Sequence, residues 1–328
     1  MNIEKGLFKS AETVTLVNSA GMSVTLCALG AGIMSIKVPD HDGEAREVTR
    51  LASGGYGAAY HGLTIGRTSG RIAHAEFAID GRTARLEKNN HGEDCLHGGS
   101  SGFHSKVFSL RVEQNAEYTD VVFEYDSPDG EGGYFGNVKV QSIYRLYERE
   151  NKLATIYKAA PDCKTLLNLT NHAYFDMSGD LRAPVTEQVM YINASRVGDL
   201  NERLIIERIA DVAPQFDFRT PRKVGEYVKD EVVQRYTKGY DHPFFLDARG
   251  LDKVACSLYS ELSGIKLEVR TTYPCVVVFG DNFDGYKSTC FECEYNPDGI
   301  HSTPDDCGVC SPDKPYSETT EFVFTVTK

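Results

Sequence analysis

Apolar and polar residues alternate with a period of two along most of this chain, and Gly, Pro, Asn and Asp repeatedly break the pattern. Val14 and Leu16, then Val24 and Leu26, flank the turn-like Asn18-Ser19-Ala20-Gly21. Residues 121–125 read as a strand that stops at Ser127-Pro128-Asp129-Gly130. Val138, Val140, Ser142, Tyr144 and Leu146 point one way, with polar or charged neighbours pointing the other. Residues 266–272 alternate cleanly, and residues 322–326 form a closing strand. Short strands between turn residues predict an all-β sandwich or barrel. Helical periodicity is scarce, and residues 221–236, opened by Pro221, are the one candidate helix. No linker composition or fixed-period repeat divides residues 1–328, which predicts a single domain even at this length.

Composition narrows the partners. A formal net charge of −12 disfavours nucleic acid and anionic membrane surfaces, both of which attract a basic face. Residues 1–11 lack the apolar core of a signal peptide, and no later run is long enough to span a bilayer. The expectation is a cytoplasmic protein whose nine cysteines are reduced. Tryptophan is absent, so any stacking wall for a ligand must come from the 18 Tyr and 16 Phe.

Five polar clusters could carry chemistry. In Gly66-Arg67-Thr68-Ser69-Gly70-Arg71 two arginines four apart could hold a phosphate or carboxylate, or stand on a surface turn. Asn89-Asn90-His91 precedes Leu96-His97-Gly98-Gly99, where glycines clear space beside a loop histidine that could equally be solvated. Along residues 168–176, strand geometry puts Asn168, Thr170 and His172 on one face, leading into Tyr174-Phe175. His172 there is either a general acid beside an aromatic wall or a core histidine satisfied by Asn168 or Thr170. Asp241, in Gly239-Tyr240-Asp241-His242, could accept hydrogen bonds from a polyol or cap a turn. Glu292, in Cys290-Phe291-Glu292-Cys293-Glu294, has apolar neighbours of the kind that raise a carboxyl pKa toward that of a useful base.

The same segment admits a rival. Cys290-x2-Cys293 and Cys307-x2-Cys310 stand thirteen residues apart, close to zinc-ribbon spacing. On a strand, however, Cys290 and Cys293 face opposite sides and cannot grip one ion.

In order and rough spacing these clusters resemble the aldose 1-epimerase (galactose mutarotase) family. Residues 29–40 are similar to its opening strands, 130–137 to its central turn, and Tyr316, Ser317, Thr319 and Phe322 to its closing strand. The resemblance spans nearly the whole chain and is most specific at residues 168–175. It implies a large antiparallel β-sandwich, often called a supersandwich, with few short helices and an open cleft. It further implies His172 as general acid, Glu292 as general base, and Arg71, His97 and Asp241 as ligands of sugar hydroxyls. Protonated His172 and ionised Glu292 would open the ring of a free monosaccharide such as galactose or glucose, and reclosure would give the other anomer, with no cofactor and no metal. Three departures bear on sugar preference: Glu294 where the family usually has Gln, Ser69-Gly70 in place of Ala-Asn, and Val278 where a Gln is common. A non-catalytic carbohydrate-binding relative and a hexose-6-phosphate 1-epimerase remain as alternatives, the latter resting on Arg67 and Arg71. Either a monomer or a homodimer is compatible with these features.

Overall fold

The computed structural model describes residues 1–51 and 55–327. Its regular structure is mainly antiparallel strand, as the alternation predicts. Five strands at the N-terminal end (Asn2–Phe8, Ala11–Val17, Ser23–Cys27, Gly32–Pro39 and Ala45–Glu47) form a meander in sequence order. Val14 pairs with Leu26 and Leu16 with Val24, so the apolar sets of the second hairpin share one buried face.

Nine strands form the largest sheet. Its centre holds Val138–Tyr147, Lys152–Pro161, the closing strand Tyr316–Val326 and Ile265–Thr271 as consecutive neighbours. The C-terminal strand thus lies inside the sheet and ties the middle of the chain to its end. A six-stranded sheet runs in the order Tyr174–Phe175, Thr289–Glu294, Cys275–Phe279, Asp241–Phe245, Arg196–Leu200, Ile206–Asp211. Its inner face, with Val276, Val278, Phe244 and Phe291, packs into a core shared with the nine-stranded sheet. Phe175 of one sheet meets Phe322 of the other at 5.1 Å between ring centroids.

Residues 221–236 do not form the helix that their pattern suggested. Only Glu231–Gln234 is α-helical, with the Asp230 side chain accepting from the Val232 N–H, preceded by a 3-10 turn at Val224–Glu226. A single turn with few buried side chains has too little apolar face to propagate.

Between the sheets, residues 168–175 have their backbone groups satisfied from several directions, as a buried segment requires. Asn168 N–H donates to Arg67 O, His172 N–H to Leu63 O, and Gly62 N–H to His172 O. Leu169 N–H donates to the Tyr316 hydroxyl at 2.9 Å, and the Tyr273 hydroxyl donates to Leu169 O at 2.6 Å. Gly62 has φ +77°, and a Cβ there would lie 1.9 Å from Ile33 O, so only glycine lets this loop approach.

Candidate active site

Period-two geometry builds the floor of a cleft. On one face of the six-stranded sheet, Glu292 and Glu294 stand beside Val277 and Phe279, then Asp241 and Pro243, then Leu200 and Ile206. The opposite face of the same strands is core. The cleft holds about 310 Å³, and its walls bring in Tyr60, Arg71, His97, His172 and Tyr174. All five residues singled out for chemistry in the sequence therefore meet in one place. Wider hollows lie elsewhere, one of about 660 Å³ beside Glu124 and Lys158, but this cleft is where imidazoles, carboxylates and a guanidinium converge.

His172 lies between two short ladders, Thr170–Asn171 against Thr64–Ile65 and Tyr174–Phe175 against Thr289–Cys290. Its Nε2 is 3.5 Å from Glu292 Oε1, and its Nδ1 meets Cys290 Sγ at 3.4 Å. The ring stacks on Tyr174 at 5.1 Å with 15° between planes. Among the described residues the His172 ring, whose partners are Cys290 and Glu292, is satisfied by neither Thr170 nor Asn168. The Asn168 side chain instead accepts from Tyr295 N–H at 2.8 Å and donates to Tyr295 O at 3.2 Å, clamping the end of the Glu292 strand.

His97 reaches the cleft because the loop from Cys95 onward pairs with Arg71-Ile72. Asn89 brackets that loop, accepting from Leu96 N–H and donating to Leu96 O. Gly70 N–H donates to His97 Nδ1 at 3.3 Å, which leaves the proton of the neutral ring on Nε2. Arg71 lies 3.9 Å from Asp241.

Burial sets the charges. His172 is pushed down to about 3 by burial, with the neighbouring His61 charge acting the same way. Burial, then His172 and Arg71, holds His97 well below the usual imidazole range. Glu292 is pushed up to about 8 by burial and then by Asp241, with Arg71 opposing. Burial likewise raises Asp241 against the pull of Arg71.

Arg67 is not in the cleft. Its guanidinium is 2% exposed and donates to Ser127 Oγ and to the carbonyls of Ser127, Pro128, Phe135 and Gly136. It ties two loops together and has no face turned to a phosphate. The four cysteines of the zinc-ribbon reading are also dispersed. Cys290 contacts His172, Cys307 donates to Pro304 O and Cys310 to Thr165 O. Among the described residues the one group spaced for a metal ion is His97, His172 and Glu292, whose ligand atoms lie within 4.8 Å of one another.

A family model described as Aldose 1-epimerase matches residues 12–323. The chain belongs to the aldose 1-epimerase family. It is 32% identical to the aldose 1-epimerase of Escherichia coli (strain K12), over 95% of this chain and 94% of that protein. It is 31% identical to the galactose mutarotase of Homo sapiens, over 93% of this chain and 92% of that one. The crystal structure of galactose 1-epimerase from Lactobacillus acidophilus NCFM superposes with a TM-score of 0.86 at 26% identity, covering 100% of this chain and 99% of that one. The motif resemblance thus corresponds to family membership, and the all-β fold is the family's fold.

Sequence reasoning passed over some of the lining. Tyr60, edge-on to His97 at 4.8 Å and roughly parallel to His172 at 6.1 Å, carries no motif. Cys290 reads in sequence as a metal ligand, although its place two residues before Glu292 puts it on the same strand face, against His172. The apolar wall of Leu200, Leu204, Ile206 and Phe283 comes from two segments with no site signature.

Proposed function

We propose that the chain is an aldose 1-epimerase that interconverts the anomers of a free monosaccharide, with His172 and Glu292 moving the protons. The single observation that carries this is the buried pair itself, an imidazole nitrogen 3.5 Å from a carboxylate oxygen in a cleft lined with hydroxyl-binding groups. Mutarotation needs one proton removed from the anomeric hydroxyl and one delivered to the ring oxygen. A pair carrying one proton in total can do both. Ionised Glu292 takes the anomeric proton while protonated His172 donates to the ring oxygen. The ring opens to an aldehyde, the bond between the first two carbons rotates, and the same transfers in reverse close the other face. Positioned acid and base each contribute roughly 10²–10⁴-fold.

The structure alters one expectation from sequence. In the ligand-free cleft burial favours the proton on Glu292 and a neutral His172, the reverse of the starting state written above. The two placements are the two ends of the ring-opening step, because opening leaves Glu292 protonated and His172 neutral. Burial therefore stabilises the form of the pair that accompanies the open aldehyde, and the step back to the ring places the proton on His172.

Arg71, Asp241 and the Nε2–H of His97 supply donors and acceptors for hydroxyls. A sugar-binding module without catalysis has no use for such an acid–base pair. A hexose phosphate lacks its anchor, since Arg67 is engaged in the scaffold. No step is routed through a metal or a cofactor. A cytoplasmic, single-domain protein fits this reading, with its nine cysteines standing as free thiols.

The test is polarimetry of freshly dissolved α-D-galactose and α-D-glucose with wild type, His172→Ala and Glu292→Gln. Wild type is expected to speed the approach to anomeric equilibrium, and each variant to lose at least about 100-fold in kcat. A wild type inert on every free aldose would overturn the activity. Variants that keep full rate would overturn the roles.

A further inference from the structure

Glu294 has an unusual position in this cleft. It follows Glu292 by two residues on the strand Thr289–Glu294, so both side chains leave the same face toward the cleft. Glu292 faces His172 and Asp241 faces Arg71. Glu294 is 1% exposed, yet neither of its oxygens has a hydrogen-bond partner among the described residues. Gly70 locates the group, since a Cβ there would stand 3.3 Å from Glu294 Oε1 and 2.8 Å from Pro297 Cβ. The carboxyl thus sits at the Gly70–Arg71 end of the cleft, against bare backbone on one side.

A buried carboxyl with both oxygens unpaired is costly to the ligand-free fold. Such a group is tolerated where a ligand completes it. A carboxyl offers oxygens that accept and, when protonated, one O–H that donates; burial, and then the charge of Glu292, shift this one toward the protonated form, with Arg71 opposing. A hydroxyl group, itself donor and acceptor, is the complementary partner. The anomeric hydroxyl and ring oxygen belong to His172 and Glu292, so the partner is another hydroxyl of the same sugar.

Resting on the epimerase reading, we propose that Glu294 is a further substrate-binding residue, which decides among aldoses by exchanging hydrogen bonds with one hydroxyl away from the reacting carbon.

The experiment compares wild type, Glu294→Gln and Glu294→Leu on the best aldose substrate and its 2-, 3-, 4- and 6-deoxy analogues, reading kcat/KM. In wild type one analogue should fall roughly tenfold or more below the parent sugar, because its absence leaves a buried polar group unpaired. In Glu294→Leu the parent should drop to the level of that analogue, so that the ratio collapses toward one, while Glu294→Gln, still donor and acceptor, keeps it. The ligand-free melting temperature of Glu294→Leu should equal or exceed that of wild type. An equal loss on every sugar with a lowered melting temperature would mean a packing role, and an unchanged discrimination pattern would mean no contact; either overturns the proposal. Should Glu294→Leu fail to fold, Glu294→Ala reads the same ratio. If wild type turns over no free aldose, the epimerase reading fails on its own, and calorimetric binding of the same panel to wild type and Glu294→Gln or Glu294→Ala still decides the contact.

Discussion

The pH dependence of catalysis follows from where the shared proton can reside. In water a glutamate near about 4.3 and a histidine near about 6.5 would together carry one proton only between those values. At pH 7.5 such a pair would hold that proton in about one molecule in ten. In the cleft, burial raises Glu292 to about 8 and lowers His172 to about 3, so the one-proton window widens in both directions. Activity falls at either end, for opposite reasons. As pH rises through about 8 the pair loses its only proton, and as pH falls through about 3 it gains a second. At pH 7.5 most of the molecules then hold one proton in the pair. The assay is kcat/KM from polarimetry between pH 4 and 10, with the spontaneous rate subtracted at each point. The expected profile is a plateau through neutrality, an alkaline limb centred near pH 8 and a fall of about tenfold between pH 7 and 9. A limb centred near 6.5 would refute the claim that burial sets the window. A flat profile from pH 5 to 9 would refute the pair.

Asp241 is the charge that, after burial, holds Glu292 high. Asp241→Asn should therefore move the alkaline limb to lower pH, read as the position of the limb rather than its height, because the residue also faces substrate. Arg67→Ala should lower the unfolding free energy by roughly 3 kcal/mol or more, since four carbonyls and the Ser127 hydroxyl lose their donor. Its KM for a free aldose, measured where it remains folded, should stay near wild type, and a large rise in KM alone would place Arg67 in the sugar site after all. Added Zn²⁺ should inhibit competitively with sugar through His97, His172 and Glu292, with full recovery on chelation. Inhibition that sugar does not relieve would put the metal elsewhere.

The strands were legible because a half-buried strand must alternate. Val138 to Leu146 and the closing residues 322–326 show in one dimension which face meets the core, and the structure places them accordingly. The candidate helix at 221–236 misled because Pro221 and a polar stretch mark a possible helix start without the apolar stripe that sustains one. For the site, motif likeness singled out His172, Glu292, Arg71, His97 and Asp241, which the fold gathers around one cleft, but spacing could not distinguish Arg71 from Arg67. Both arginines sit in one short segment; only the fold turns one into the cleft and threads the other between loops.

The chain by itself determined its strands, its family and the residue types available for proton transfer, since these are properties of local pattern and of motif order. Tertiary structure decided which groups are dry and which are paired. The proton preference of Glu292 over His172 comes from burial and from Asp241, about fifty residues away along the chain. The carboxyl of Glu294 stands unpaired because no neighbouring element among the described residues brings it a partner. Desolvation and charge proximity depend on distances in space, and a linear sequence does not contain those distances.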